Sequence, residues 1–92
     1  MRRRHRRTLA DVFRQPTPAG IRWDDIESLL RACGAHIEER AGSRVGVELN
    51  GARAIFHRPH PRKEAGKASV SSIRRFLMEA GVRPGRQGGQ RS

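Results

Sequence analysis

The sequence predicts an α+β fold in which two helices cover one face of a three-stranded antiparallel meander, in the order α-β-β-β-α. Three observations carry that prediction. Apolar and polar residues alternate from Arg44 to His57 on either side of Asn50-Gly51, the pattern of a hairpin closed by a two-residue turn. Before the hairpin, Trp23, Ile26, Leu29, Leu30 and Cys33 recur at helical spacing, and after it Val70, Ile73, Phe76, Leu77 and Ala80 do the same. With 92 residues there is material for one modest core.

Taken in order, residues 1–19 read as a basic head and a short lead-in helix. Arg2, Arg3, Arg4, Arg6 and Arg7 offer nothing to bury, so residues 1–7 are expected to be disordered. Thr8 then caps a short helix carrying Leu9, Val12 and Phe13, which Pro16 and Pro18 end. The domain proper spans residues 20–82. Its first helix starts near Trp23, with Asp24, Asp25 and Glu27 at the end where the helix dipole favours negative charge, and closes at Gly34. Within it Cys33 reads as a small buried hydrophobe rather than a nucleophile, and Trp23 as a core aromatic rather than a stacking platform. The single cysteine excludes an internal disulfide.

A short first strand is expected at His36–Arg40, with Ala41-Gly42-Ser43 turning into the hairpin. If Asn50-Gly51 sets the register, Val45 faces Phe56, Val47 faces Ala54 and Leu49 faces Ala52, so one face is wholly apolar. On the other face Glu48 stands opposite Arg53, and Arg44 opposite His57. Arg62 to Lys67 reads as a polar loop with Gly66 as a point of flexure. Ser69 is the expected N-cap of the last helix, which Gly81 and Pro84 stop. Ser71 and Ser72 in its first turn read as capping serines, with phosphate binding as the alternative. Residues 83–92, rich in Gly, Gln and Arg, form a flexible basic tail.

The formal net charge of +11 is concentrated at the ends and on one part of the middle. Residues 8–50 hold five basic and seven acidic side chains, whereas residues 51–82 hold seven and two. A polyanion is the natural partner of such a chain, because condensed counterions are released when it binds. The competing account of the terminal arginines is that they only solubilise the chain. No apolar run approaches membrane-spanning length, and Thr8 to Phe13 is too short and polar for a signal sequence, so the expected location is the cytoplasm with no membrane partner. His57 and His60 lack the cysteines or acids that complete a metal site, and no metal, cofactor or small-molecule ligand is expected.

Gly42-Ser43 at the hairpin entrance, Phe56-His57-Arg58-Pro59-His60-Pro61 at its exit, and Ser72-Ile73-Arg74-Arg75-Phe76-Leu77 with Ala80-Gly81 in the last helix resemble the HicA family of toxins. The lead-in Leu9-Ala10-Asp11-Val12-Phe13 with Pro16-Thr17-Pro18 is similar to a subgroup. The resemblance spans about Gly20 to Val82 and implies a double-stranded-RNA-binding-domain-like fold. It also implies a type II toxin-antitoxin mRNA interferase, an endonuclease acting on mRNA and held inactive by a HicB-type antitoxin. One position departs from the family pattern. The family usually reads Gly-Ser-His, its histidine being regarded as catalytic, where this chain has Gly42-Ser43-Arg44.

Metal-free RNA cleavage needs a base near neutral pKa for the 2′-hydroxyl proton and cations for the charge on the phosphorane. Histidine, unperturbed near pKa ~6.5, suits the first task, and arginine, always charged and bidentate toward phosphate, suits only the second. His57 and His60 are therefore the candidate acid and base, and Arg44 their electrostatic clamp. Ser43, Arg53, Arg58, Arg62, Lys63 and Lys67 are the expected contacts to the RNA backbone. Two readings stand beside this one. In the first, the same face binds RNA without cutting it, as a binding module or a disarmed toxin. In the second, the chain binds only an antitoxin, through the hairpin edge.

Overall fold

Asn50 and Gly51 take φ of 52° and 87° in the computed structural model, the two consecutive left-handed residues that a tight hairpin turn requires. That turn fixes the register, and the strands pair as the alternation predicts: Val45 with Phe56, Val47 with Ala54, Leu49 with Ala52, Glu48 with Arg53 and Arg44 with His57. The structure describes residues 1–85. The expected tail from Arg86 onward lies outside them. Strands β1 (His36–Arg40), β2 (Arg44–Leu49) and β3 (Ala52–His57) form one antiparallel sheet in the order β1-β2-β3.

Three helices accompany the sheet: α1 (Arg3–Phe13), α2 (Trp23–Ala32) and α3 (Lys67–Glu79). The fold is thus the expected α+β, with α2 and α3 bracketing the meander. Its core joins Val45, Val47, Leu49 and Phe56 of the sheet to Ile26, Leu29 and Leu30 of α2 and to Val70, Ile73, Phe76 and Leu77 of α3, all buried. Each such side chain contributes about 1.5–3 kcal/mol by leaving water. Phe56 stands at the centre, edge-on to Trp23 at 6.4 Å and to Phe76 at 5.7 Å between ring centroids. Trp23 is therefore a core residue, 4% exposed, and has no face free for stacking a base.

Three local expectations need correction. The first concerns the basic head, which is helical from Arg3 rather than disordered up to Thr8. Thr8 is not a cap. It lies inside α1, where its hydroxyl donates to the Arg4 carbonyl at 3.1 Å, and the cap position belongs to Arg2, which provides no side-chain bond. The reason is tertiary support. Leu9 and Val12 are buried against the helices, and His5 Nε2 lies 2.9 Å from Ser28 Oγ of α2. Arg74 of α3 closes the other end, donating to the Val12 carbonyl at 2.9 Å and to Thr17 Oγ1 at 2.7 Å.

The other two corrections concern the segment from Arg62 to Ser69. This loop is pinned, because Arg22 and Glu64 form an isolated antiparallel bridge. Trp23 N–H donates to the Lys63 carbonyl at 2.9 Å and Ala65 N–H to the Ile21 carbonyl at 2.8 Å, while Ala65 is buried. With the loop held, α3 begins at Lys67 and Gly66 takes the cap position, three residues before the expected cap at Ser69.

Candidate functional site

β3 lies at an edge of the sheet, and its last residue, His57, is exposed. Arg44 stands directly across from it on β2, which sets their Cβ atoms about 5 Å apart. The Arg44 side chain turns back toward the β1–β2 turn, where Nε donates to the Ala41 carbonyl at 2.9 Å. The turn itself bends through Ser43 at φ 66°, and the Ser43 carbonyl accepts the Arg58 N–H at 2.9 Å, extending the ladder one step beyond the strand.

On its other side β3 borders α3 across a groove of about 400 Å³ lined by Ile55, His57, Ser69, Ser72, Arg75 and Glu79, among others. One imidazole, two hydroxyls, one guanidinium and the Glu79 carboxylate meet there. Of these, Ser72 is the phosphate candidate that the sequence offers, whereas Ser69 reads there only as a cap and Arg75 carries no expected role. Their signal was present as spacing, since positions 69, 72, 75 and 79 run along one face of a helix, beside the apolar stripe.

Arg58, expected to guide RNA, ties the fold together. Its Nε and Nη2 donate to the two carboxylate oxygens of Glu27 at 2.7 Å and 3.2 Å, and its Nη1 and Nη2 to those of Glu39 at 2.7 Å and 2.8 Å. Trp23 Nε1 donates to Glu27 as well. Burial pushes the Glu27 carboxyl up, but the bonds from Arg58 and Trp23 outweigh it and leave it below its ordinary value of 4.5. The same guanidinium holds the exposed Glu39 below its ordinary range, and the two carboxylates raise Arg58 in return. This clamp joins α2, β1 and the exit from β3, and so fixes the backbone that presents His57.

The remaining predicted residues are spread around this exit. His60 is exposed and does not line the β3–α3 groove. Arg62 and Lys63 line a separate hollow of about 260 Å³ with Trp23, Asp24 and Pro59. Lys67 is exposed at the start of α3. Arg53 lies on the outer sheet face, 3.8 Å from Glu48, in a hollow of about 550 Å³ shared with His36, Glu38, Arg40 and Ile55. Ile55, 53% exposed, divides that hollow from the groove. Among the described residues no group of three His, Cys, Asp or Glu side chains is placed to hold a metal ion, and no helix is long and apolar enough to cross a membrane.

A family model for the HicA toxin of bacterial toxin-antitoxin systems matches residues 23–82, the span from the first turn of α2 to the residue after Gly81. No curated protein and no solved structure matches the chain. The matched span contains the sheet, α2, α3 and the groove between β3 and α3, and excludes α1. It covers well over half of the sequence and agrees with the fold in element order: the chain belongs to the HicA toxin family, the toxin half of a toxin-antitoxin system with an antitoxin partner.

Proposed function

We propose that this toxin is an mRNA endonuclease that works without a metal and is restrained by a HicB-type antitoxin. The observation that carries the reading is the position of His57, across from Arg44 on one side and open to Ser72 and Arg75 on the other. An RNA strand in the groove would bring a phosphate between these cations. His57 takes the proton of the 2′-hydroxyl, and the freed oxygen attacks phosphorus as the bond to the 5′-oxygen breaks. The products are a 2′,3′-cyclic phosphate and a 5′-hydroxyl, whose proton is assigned to His60 on the exposed exit from β3, outside the groove itself. Arg44 and Arg75 offset the charge on the phosphorane, which is the larger share of the task in a mechanism of this kind. Ser43, Arg53, Arg62, Lys63 and Lys67 guide the flanking backbone. Arg58 acts through the backbone it holds.

A second reading is favoured by one feature, the arginine at the family's histidine position. Arg44 is a poor base, and a chain that had lost its catalytic histidine would bind RNA without cutting it. The experiment is incubation of the pure protein with labelled mRNA, with and without EDTA, beside His57→Ala. The expected outcome is cleavage that survives EDTA and is lost in the variant while RNA binding remains. Binding without cleavage by the unmodified protein would establish the second reading instead.

A further inference from the structure

We propose that α1 and the turn after it form a second RNA-binding face, one that grips the phosphate backbone of a strand apart from the His57 groove. The choice of RNA as the polyanion rests on the reading of the chain as an RNA-acting toxin. The existence of the face rests on four separate observations.

First, α1 is charged against its own stability. Arg3, Arg4, Arg6 and Arg7 crowd its first turns, with no acidic residue in the first turn and no capping side chain. They sit at the positive end of the helix dipole, where cations are repelled. Second, α1 is nevertheless held in place, by the burial of Leu9 and Val12 and by Arg74 at its last carbonyls. The arginines are thus displayed on a fixed element. Third, two of them, Arg4 and Arg7, converge with cations of the following turn. Arg4, Arg7, Arg14 and Arg22, with Asp11 and Asp25, surround a concavity of about 370 Å³ between α1 and the following turn. Asp11 is engaged by Arg14 at 2.8 Å, whereas the guanidinium groups of Arg3, Arg4, Arg7 and Arg22 make no hydrogen bond or ion pair among the described residues. Fourth, α1 and Arg22 lie outside the span that the family model matches, so the shared domain does not need these cations. An external polyanion supplies the counter-charge that the fold withholds. A strand occupying both faces would be gripped at two points, one of them with no part in the chemistry.

The experiment measures binding of the full chain to a 2′-O-methyl RNA, which cannot be cut, over a series of salt concentrations. Arg3→Gln/Arg4→Gln/Arg7→Gln is compared with the unmodified protein. Glutamine keeps helix propensity, so α1 folds in this variant, and circular dichroism checks that it does. The slope of log affinity on log salt is expected to become shallower by about 2, at roughly 0.7 for each lost phosphate contact on a single strand. The turnover rate on saturating cleavable RNA stays unchanged. Arg7→Gln/Arg22→Gln, divided between helix and turn, is expected to lower the slope by about 1.4 by the same rule, and covers the case in which the triple variant loses α1. An unchanged slope with RNA binding retained overturns this second face alone. Failure of the unmodified chain to bind RNA overturns the RNA-acting reading as well. Duplex DNA held more tightly than RNA through these same arginines would assign the face to DNA, and would also overturn the proposal.

Discussion

Arg58 shows how far a residue's neighbours in space can depart from those in sequence. Beside Pro59 and two histidines it reads as one more exposed cation, yet its carboxylate partners lie 31 and 19 residues away. No local pattern announces them. The Glu27 side chain is only 9% exposed and that of Arg58 is 30% exposed, so removing the guanidinium leaves a largely buried carboxylate without its counter-charge. Arg58→Met is expected to cost about 2–4 kcal/mol in urea unfolding, below the full value for a deeply buried pair because solvent reaches the arginine. Glu27 has a depressed folded-state pKa, so its stabilisation is complete above its unfolded value of about 4.5 and is lost as pH falls through the lower folded value. The unmodified protein should therefore lose more stability between about pH 6 and about pH 3 than Glu27→Gln does, and equal losses would sink the assignment. By contrast the Arg44–His57 pairing was legible, because strand period and an Asn-Gly turn together leave only one register.

At the scale of elements, what could be read was whatever carries its own periodicity. β2, β3 and α2 appear where the pattern puts them, and α3 differs only in its start. The first helix was half legible: Leu9, Val12 and Phe13 mark its apolar side, but the turns before Thr8 contain almost nothing but arginine. Their order comes from Ser28 and Arg74, which are remote in sequence. Arg74→Met is accordingly expected to weaken α1 by about 1–3 kcal/mol, the cost of leaving its carbonyl partners unsatisfied. Hydrogen exchange would show faster exchange in α1 with the strands unaffected. The same scale explains why the β3–α3 groove was missed. Its residues come from two elements, and the pattern of neither says that this side of α3 lies along the free edge of β3. Ile55 is a large apolar side chain left exposed at the edge between the groove and the outer sheet face. If the antitoxin covers this side chain, Ile55→Lys is expected to weaken the complex with the antitoxin about tenfold or more, by placing a charge in an apolar contact. Titration of the two purified proteins measures it.

For the whole molecule, the net charge of +11 carries a cost, since like charges repel in the folded chain. Added salt or inorganic polyphosphate is expected to raise the melting temperature by several degrees, as each 1 kcal/mol is worth about 4–8 °C in a domain of this size. A fall in melting temperature with salt would mean that the internal ion pairs outweigh the repulsion. The bridge between Arg22 and Glu64 also sets where the chain may be shortened. The family match begins at Trp23, but Ile21 is buried and its carbonyl holds Ala65, two residues before α3. A protein trimmed to the matched span would keep every helix and strand of the shared domain and lose the Ile21 and Arg22 part of the clasp that holds its left end to the loop before α3. Its natural left-hand boundary is therefore a residue or two earlier than sequence similarity draws it.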